Sequence, residues 1–412
     1  MGKIVLLHPD LGIGGAERLV VDVALALQKE GHDVQFVTAH HDPKHCFTET
    51  KDGSFQVTVV GDWLPRSVFG RFHAVFAYLR MIYAAIYLVF FSGIKPDLVF
   101  CDQVSACIPI LRCRGLKVIF YCHFPDQLLS YRGSRLKQMY RAPLDWLEEV
   151  TTGMADKILV NSNFTAGVFK ATFKRLERIT PDVLYPSVNT DLFESTSASP
   201  LNQVIEDPAF LADDAFIFLS INRYERKKNL SLALRAFAEL RTVLEDDKWG
   251  RVFFIMAGGY DSRVQENVEH FTELVCLAVR LGVSEKVKFL KSPSDSVKLS
   301  LLYHSHCLIY TPSNEHFGIV PLEAMHAKKP VIAVNSGGPT ETVVDGVTGF
   351  LCEPVPRKFA EAMAKFVSNK PLVNRMGLQG RGWVMEKFSF LSFSKQLQAI
   401  VMDFLQNDKK TD

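Results

Sequence analysis

The sequence predicts an α/β protein with two doubly wound domains, in which each parallel sheet has helices on both of its faces. Short apolar runs alternate with helical stretches along the chain, which is typical of parallel sheets. The alternation breaks once and then restarts, as expected for two domains in tandem. The length of 412 residues also exceeds what a single hydrophobic core usually serves.

Each half of the chain supplies a set of strand candidates. In the first half they are Ile4–Leu7, Val34–Thr38, Leu98–Cys101, Val118–Tyr121 and Lys157–Val160. In the second half they are Phe216–Ile221, Val252–Ala257, Val287–Leu290, Cys307–Tyr310 and Val331–Val334. Helices are predicted between them, for example over Ala16–Glu30. The serine-rich and acidic stretch from Ser195 to Asp214 is the predicted linker, which places one domain at residues 1–200 and the next at 201–385.

The composition disfavours some classes of protein and indicates a compartment. A formal net charge of +2 argues against a dedicated nucleic-acid-binding protein. The eight cysteines form no Cys-x-x-Cys pair, and several lie in apolar runs, which indicates buried thiols in a reducing compartment. No signal-peptide pattern precedes the first predicted strand.

A glycine-rich loop follows strand Ile4–Leu7, where an open α/β sheet would bind a ligand, and the two domains are expected to face a cleft. The loop contains Gly12, Gly14 and Gly15 ahead of a helix. A dinucleotide site is disfavoured, because Glu17 replaces the third glycine and no acidic residue ends the second strand. The alternatives are a plain tight turn and a loop in which Gly14 and Gly15 meet a phosphorylated or sugar ligand.

A basic segment, Ser220–Asn229, follows the first strand of the second half. Arg223 and Lys228 in this segment could clamp a diphosphate, the first as a bidentate donor and the second as a point charge. A solvated basic surface is the alternative interpretation of the same residues.

A predicted helix in the second half begins near Ile319, with Glu315 in the loop before it and Glu323 within it. The amides of Phe317, Gly318 and Ile319 would be unpaired donors at this helix start. Two carboxylates can hold hydroxyls of a sugar and a ribose, while such amides meet a phosphate. The alternative is that Glu315 only caps the helix and Glu323 is a surface charge.

Two strand-to-helix glycine turns complete the pattern, at Gly258-Gly259 and at Gly337-Gly338. Each turn is common by itself. The order of a basic pair, a Gly-Gly turn, a Glu-x7-Glu pair and a Gly-Gly-Pro turn resembles the retaining glycosyltransferases of the GT-B fold, family 4 type, which have two Rossmann-like domains.

A closer resemblance covers nearly the whole chain, to the eukaryotic mannosyltransferases of the asparagine-linked glycosylation (dolichol) pathway that form α-1,3 and α-1,6 linkages. It is carried by His8–Arg18, Cys101–Cys107, Tyr121–Asp126, Ser220–Asn229 and Tyr310–Gly318. The resemblance implies GDP-mannose as donor and a dolichyl-diphosphate-linked chitobiose with one mannose as acceptor, extended first by an α-1,3 and then by an α-1,6 mannose. It further implies the cytoplasmic face of the endoplasmic reticulum membrane, and a complex with other early mannosyltransferases of the pathway.

The resemblance also implies roles for single residues. Arg223 and Lys228 would bind the donor diphosphate and stabilise charge on the leaving group, usually the largest catalytic contribution. Glu315 would hold hydroxyls of the donor sugar near the anomeric carbon, and Glu323 would bind the ribose. His123, at the end of a first-domain strand, is the candidate for a contact with the donor mannose.

The resemblance also implies backbone contacts to the donor, a reaction mechanism and a position for the C-terminal helix. The amides of Phe317, Gly318 and Ile319 would meet the distal phosphate and the sugar, and Gly258 would line the donor site. Retention normally suggests a carboxylate nucleophile; front-face attack with the departing phosphate as base is the usual proposal in this family. The C-terminal residues 386–412 would form a helix that packs back on the first domain.

No cofactor or metal is implied, because Arg and Lys would supply the positive charge that Mg²⁺ supplies elsewhere. The segment from His40 to Cys46 is rich in metal-ligating residue types but lacks the usual zinc spacing. A metal site there is the alternative interpretation.

The apolar segment 74–91 contains one charge, Arg80, and its length is at the threshold for a transmembrane helix. Two predicted strands precede it and others follow it, and one sheet could not form from strands on opposite sides of a bilayer. We therefore predict a segment that lies in or dips into the cytoplasmic membrane interface, with Arg66, Arg71 and Arg80 toward the headgroups. A buried core helix is the alternative.

Three rival functions are considered. The first is a family 4 type glycosyltransferase with another acceptor, which the apolar segment 74–91 disfavours. The second is a non-catalytic scaffold of the same fold, which has no need of intact Glu315, Glu323, Arg223 and Lys228. The third is a nicotinamide oxidoreductase, which the glycine loop disfavours.

Overall fold

The chain folds into two compact units in a computed structural model that describes residues 1–68, 72–130, 133, 135–188, 190, 193 and 196–406. The first unit is Met1–Ser187 together with the C-terminal segment from Phe390, and the second is Val188–Ser389. The boundaries therefore lie at 187 and 389 rather than at 200 and 385. The shift has a local cause, because the amide of Val188 donates to the carbonyl of Phe388 at 2.9 Å, within the second unit. Of the predicted linker, Ser195 lies outside the described residues.

The first unit contains a seven-stranded parallel sheet. Its strands are β1 (Lys3–His8), β2 (Asp33–Thr38), β3 (Gln56–Val59), β4 (Leu98–Asp102), β5 (Val118–Cys122), β6 (Lys157–Val160) and β7 (Asp182–Val183). Their order across the sheet is β3-β2-β1-β4-β5-β6-β7. Its α-helices are α1 (Gly15–Lys29), α2 (His73–Ile86), α3 (Ile108–Arg112), α4 (Asp126–Leu129), α5 (Arg135–Thr152) and α6 (Asn163–Thr172).

The second unit contains a six-stranded parallel sheet of the same winding. Its strands are β8 (Phe216–Ile221), β9 (Val252–Gly258), β10 (Val287–Lys291), β11 (Cys307–Tyr310), β12 (Val331–Val334) and β13 (Gly349–Cys352), in the order β10-β9-β8-β11-β12-β13. Its α-helices are α7 (Leu201–Val204), α8 (Leu230–Leu240), α9 (Asp246–Gly250), α10 (Gln265–Arg280), α11 (Asp295–His304), α12 (Ile319–His326), α13 (Pro339–Thr342), α14 (Pro356–Ser368) and α15 (Lys370–Lys387).

The last helix of the chain, α16 (Phe390–Gln406), belongs to the first unit and packs against α1. Its Phe393, Leu397 and Val401 recur every four residues and lie in one buried cluster with apolar residues of α1. The cluster also contains apolar side chains of the sheet, so α1 and α16 cover one of its faces.

All the strands expected from the sequence are present, and the three that were missed lie at or beside sheet edges. These are β3, β7 and β13. The side chains of β3 and β7 are partly exposed, and β13 is buried only at its ends. Such short strands lack the continuous apolar run by which a buried parallel strand is recognised.

Both sheets place their topological switch point beside the first strand of the unit. In the first unit β1 lies between β2 and β4, and in the second unit β8 lies between β9 and β11. Because the connections leave in opposite directions on the two sides of that strand, a crevice opens at its carboxyl end. The carboxyl ends of β1 and β4, and of β8 and β11, are therefore the positions for ligand-binding residues.

The helix α2 packs one face on the sheet of the first unit. It continues through a π-helical turn to Phe91. On its inner face, the side chains of Met81, Ala84 and Leu88 lie in the core of the first unit. Pairing of β1 with both β2 and β4, on the two sides of α2 in sequence, rules out a single membrane crossing by this helix. Leu79 and Phe91 are exposed, so the helix is neither wholly buried nor wholly exposed.

The prediction that Arg80 points toward lipid headgroups is wrong. Its side chain is buried, with Nη2 2.6 Å from the carbonyl oxygen of Ala39 and 3.1 Å from Oδ1 of Asp62. Nη2 of the guanidinium thus has its partners inside the protein, whereas Nε is buried without a hydrogen-bond partner among the described residues. Arg66 is exposed and pairs with Asp10, whereas Arg71 lies outside the described residues.

Candidate functional site

The candidate residues fall into two groups, one in each unit. In the second unit the loops after β8 and β11 are joined by an ion pair, in which Nζ of Lys228 lies 2.5 Å from Oε2 of Glu315. The hydroxyl of Thr311 also donates to the carbonyl oxygen of Lys228 at 2.9 Å. Both charged side chains are mostly buried yet retain some solvent access, so this pair can meet a ligand at the switch point.

The basic segment after β8 divides into side chains with different partners. Arg223 is 63% exposed, and Nη1 lies 3.2 Å from Glu225. Arg226 instead pairs with Glu269 and Glu273 of α10. Only part of the cluster is therefore the solvated basic surface that the sequence left as an alternative.

Glu323 is held by a residue that no sequence pattern indicated. Nζ of Lys298, on α11, lies 2.7 Å from Oε1 of Glu323. Oε2 of Glu323 is buried and has no hydrogen-bond partner among the described residues. A buried carboxylate oxygen of this kind favours a ligand hydroxyl as its donor. Lys298 is separated from both site loops in sequence, so no local signal pointed to it.

Helix α12 begins at Ile319 as predicted, and its start is shaped by glycine. Gly318 is the N-cap at φ 84°, and no side chain caps the helix. A Cβ added at Gly318 would lie 3.4 Å from the ring of Tyr310, which is buried beneath it. Burial, reinforced by the negative charge of Glu315, raises the pKa of Tyr310 well above its usual range. Its phenol therefore stays neutral under the site.

The Gly337-Gly338 turn packs directly on the loop that carries Glu315. The amide of Gly338 donates to the carbonyl oxygen of Glu315 at 2.7 Å. A Cβ added at Gly338 would lie 2.2 Å from the carbonyl oxygen of Phe317, and at Gly337 one would lie 2.5 Å from that of Glu315. The two glycines thus allow a close approach of backbones that fixes the Glu315 loop.

We expect Gly338→Ala to destabilise the second unit by about 3 kcal/mol and to reduce activity, because the added methyl displaces the Glu315 loop. Thermal or denaturant unfolding measures the first effect. Gly382→Ala is the matched control, since a Cβ at Gly382 meets nothing within 4 Å. Equal unfolding free energies for the two variants would contradict the packing role of Gly338.

Gly258 has a comparable packing role. A Cβ added there would lie 1.8 Å from the carbonyl oxygen of Asn222, in the segment that carries Arg223. The amide of Tyr224 donates to the carbonyl oxygen of Gly259 at 3.0 Å. The structure therefore gives Gly258 a part in positioning the loop after β8.

The group in the first unit is centred on Asp102, at the end of β4. Its Oδ2 lies 2.8 Å from Nδ1 of His8, the last residue of β1, and its Oδ1 lies 2.9 Å from Nε2 of His123, which follows β5. Nε2 of His8 lies 3.9 Å from Oε1 of Glu17 on α1. Asp102 and His8 are fully buried, whereas His123 and Glu17 are partly exposed.

Electrostatic interactions decide the charge states in this group. Burial alone lowers the pKa of His8, but the adjacent carboxylates of Asp102 and Glu17 outweigh it and raise that pKa to about 9. Burial alone raises the pKa of Asp102, but His123 and His8 bring it down to about 2. At neutral pH the centre of the group is therefore a buried imidazolium–carboxylate pair.

The glycine loop after β1 contributes to this group through Gly14. A Cβ added at Gly14 would lie 2.2 Å from Oε2 of Glu17, so the missing side chain makes room for that carboxylate. A Cβ at Gly15 meets nothing within 4 Å. Of the two predicted contacts, Gly14 thus has an internal packing role and Gly15 faces open space.

Three or more His, Cys, Asp or Glu side chains placed to hold a metal ion do not occur among the described residues. In the segment that the sequence left as a metal alternative, His40 pairs with Asp62 at 2.7 Å and Nε2 of His41 lies 3.2 Å from the hydroxyl of Thr50. These two histidines have internal partners.

Comparisons with known proteins identify the family. Residues 13–192 match the family Glycosyltransferase Family 4, and residues 203–383 match Glycosyl transferases group 1. A protein of Mus musculus named Alpha-1,3/1,6-mannosyltransferase ALG2 is 54% identical over 403 residues, which cover 97% of this chain and 95% of that one. The chain belongs to the α-1,3/1,6-mannosyltransferase family. Its enzyme class is therefore that of a mannosyltransferase.

Two further relatives of this mannosyltransferase carry the same name. The protein of Homo sapiens is 55% identical, over 98% of this chain and 96% of its own length. The protein of Dictyostelium discoideum is 48% identical, over 97% of both chains. Family membership therefore rests on the full length of the mannosyltransferase rather than on one domain.

Solved structures confirm the predicted fold class. The sucrose-phosphate synthase of Thermosynechococcus elongatus superposes with a TM-score of 0.75 at 18% identity, over 99% of the mannosyltransferase and 100% of that chain. Anabaena Alr3699/HepE in complex with UDP gives 0.72 at 18% identity, over 97% and 100%. The mannosyltransferase thus has the GT-B fold with two Rossmann-like domains.

Proposed function

We propose that this enzyme transfers mannose from GDP-mannose to dolichyl-diphosphate-linked chitobiose carrying one mannose, first in α-1,3 and then in α-1,6 linkage. The observation that carries the proposal is the Lys228–Glu315 pair, which joins the carboxyl ends of β8 and β11. A cation and a carboxylate at this point can meet the diphosphate and the sugar of one nucleotide sugar. Relatives of nearly the same length named for both linkages support the acceptor and the products.

The donor is bound by groups of both charges in this proposal. Lys228 and Arg223 meet the diphosphate and stabilise the charge that develops on it as the bond to mannose breaks. Glu323 accepts from the ribose with its free Oε2, and Glu315 accepts from hydroxyls of the mannose. The helix-start amides of Phe317, Gly318 and Ile319 face the phosphate and the sugar. Gly258 packs against the backbone of Asn222 and so positions the loop that carries Arg223.

One further side chain completes the proposed donor chemistry. His123 meets the mannose, and no metal is needed, since Arg223 and Lys228 provide the positive charge. One set of donor residues serves both linkages, so the product of the first addition rebinds in a new pose. Gly15, with open space where a side chain would be, borders the acceptor.

Titration calorimetry with GDP and with UDP tests the donor assignment without the lipid acceptor. We expect GDP to bind the purified enzyme, and Glu323→Gln to weaken that binding about tenfold through the lost ribose contact. UDP binding at equal or higher affinity would contradict GDP-mannose as donor. Failure of both nucleotides to bind would contradict the site itself.

The same proposal places the enzyme at the cytoplasmic face of the endoplasmic reticulum membrane, where its lipid acceptor lies. Among the described residues, His73–Phe91 is the one helix long and apolar enough to span a membrane by length and composition. A groove of about 930 Å³ lies at the N-terminal end of this helix and is lined by residues of α2, α4 and α5. Three of its lining residues, Phe72, Leu129 and Leu136, are exposed apolar side chains. This surface supports an interfacial mode of membrane binding.

Replacing the exposed Phe90 and Phe91 with serine should weaken binding to phospholipid vesicles about tenfold or more, because each ring loses apolar burial in the interface. Vesicle co-sedimentation measures the effect. Val279→Ser with Leu378→Ser is the matched control, since these side chains of the second unit are similarly exposed. Val89 is unsuitable for this test, because it packs against the core of the first unit.

Unchanged vesicle binding of the Phe90/Phe91 variant, with its folding intact, would contradict the interfacial proposal. Loss of folding instead would favour a mainly structural helix.

Association with other mannosyltransferases of the pathway is a further part of the proposal, which co-purification from microsomes can test. A non-catalytic scaffold is disfavoured, because the Lys228–Glu315 and Lys298–Glu323 pairs place charges at the switch point that packing alone does not require.

A further inference from the structure

The buried group His8–Asp102–His123 has no assigned role beyond the proposed mannose contact of His123. It occupies the switch point of the first sheet, where β1 and β4 end side by side. Two of its three members have no access to solvent. They can act on a ligand only through the third, His123, whose side chain is 23% exposed.

We propose that Asp102 and His8 are positioning residues for His123, a role that rests on the proposed function. Asp102 fixes the orientation of the imidazole and holds the proton on its Nε2, which directs Nδ1 to the substrate. His8 in turn holds Asp102 in place as a carboxylate. Glu17 lies on the other side of His8, next to its Nε2, and is the last residue in this series of contacts.

The proton assignment follows from the two oxygens of Asp102. Each oxygen has one imidazole nitrogen at less than 3 Å, namely Nδ1 of His8 and Nε2 of His123. The two contacts have ion-pair distances without the alignment of a hydrogen bond. A nitrogen lone pair facing an ionised carboxylate at this distance would be repelled, so both of these nitrogens must carry hydrogen. Nδ1 of His123 is then the nitrogen that remains for a sugar hydroxyl, as in other sites where a carboxylate sets the tautomer of a histidine.

His8 provides the charge that makes this arrangement stable. A lone carboxylate at the position of Asp102 would be fully desolvated, which is costly unless the charge is paired. His8 is held as an imidazolium by Asp102 on one side and Glu17 on the other. Gly14 leaves the space that the side chain of Glu17 occupies. The glycine loop and the start of α1 therefore pack together with the buried His8–Asp102 pair.

If Asp102 and His8 served only to pack His123 in place, an ionised carboxylate and an imidazolium would not be needed. The ring of Tyr121 already contacts His123, at 4.8 Å between ring centroids, and the side-chain amide of Asn161 donates to its carbonyl oxygen at 3.0 Å. These contacts fix the backbone and one face of the ring. They leave the choice of protonated nitrogen open, and only the carboxylate of Asp102 decides it.

Nitrogen-15 NMR of the histidine-labelled enzyme tests the inference without any substrate. In the unsubstituted protein at neutral pH, we expect Nε2 of His123 to carry hydrogen and both nitrogens of His8 to be protonated. A His123 that is neutral and protonated on Nδ1 would overturn the inference. Because this readout needs no GDP-mannose, it stands even if the proposed donor is wrong.

Asp102→Asn supplies the kinetic test, because it removes the charge and keeps the shape. We expect kcat for mannose transfer to fall about 10- to 100-fold, with KM for GDP-mannose changed less than threefold, and the NMR signals of His123 to show mixed tautomers. Asp22→Asn is the control: its carboxylate is buried in the same unit but contacts Arg18 and Ser187. That variant should keep kcat within about threefold.

Full kcat and an unchanged His123 tautomer in Asp102→Asn would overturn the positioning role. A loss of stability with unchanged kcat would likewise assign Asp102 to structure alone. If Asp102→Asn does not fold, the protonation of His123 and His8 in the unsubstituted enzyme decides the question.

Discussion

Glu315→Gln is expected to reduce mannose transfer by about a thousandfold or more while the protein stays folded. The substitution keeps the shape of the side chain and removes the charge that pairs with Lys228 at 2.5 Å. It replaces one oxygen that would accept from sugar hydroxyls with an NH2 group, which can only donate, and it removes the negative charge that aims the lysine at the diphosphate. Because Glu315 lies in a loop and is partly exposed, the unfolding free energy should fall by less than about 2 kcal/mol.

Transfer rates and thermal unfolding, measured on the same preparation, separate the two effects. Glu353→Gln is the matched control, since Glu353 is an exposed glutamate in the loop after β13, the edge strand of the same sheet. That control should retain both full activity and full stability. Near-normal turnover of Glu315→Gln would contradict its assignment to the catalytic site.

Lys228→Ala and Arg223→Ala should each weaken use of the donor, by about a hundredfold or more for Lys228 and about tenfold or more for Arg223. The lysine has the larger effect because it is mostly buried and also holds Glu315, whereas Arg223 is 63% exposed. The double variant should lose less than the product of the two factors, since both cations serve one diphosphate.

Steady-state kinetics of the four proteins in this cycle give the coupling between the two cations. Lys227→Ala is the matched control, because Lys227 is exposed beside them and pairs with Glu225. It should change kcat/KM by less than about threefold. Strictly multiplicative losses for Arg223 and Lys228 would show that they bind separate ligands.

The fold, and the position of the candidate donor residues at strand ends, were predictable because each depends on local sequence. A buried parallel strand is a short apolar run, and its carboxyl end is where the chain carries Arg223, Lys228 or Glu315. The pairing of Lys228 with Glu315 was not predictable. The two are separated by 87 positions, and only the strand order, in which β11 lies beside β8, brings them together.

The residues missed by sequence analysis share a physical cause. His8 and Asp102 each close an apolar strand, so a polar residue at a buried strand end was the only signal they gave. Lys298 gave no signal in the sequence, because it acts through Glu323, which lies on a different helix. Arg80 was assigned to the membrane interface from the apolar character of its segment, but its Nη2 donates to a carbonyl group in the loop after β2, which is distant in sequence.

We propose that one donor site in this chain adds two mannoses in different linkages. The most direct measurement is to incubate the purified enzyme with GDP-mannose and the lipid-linked trisaccharide, and to analyse the products by mass spectrometry and linkage-specific mannosidases. We expect an α-1,3-linked intermediate followed by a product with both α-1,3 and α-1,6 mannose, and parallel loss of both steps in Glu315→Gln. A Glu315→Gln enzyme that loses one linkage and makes the other at full rate would contradict a single shared donor site.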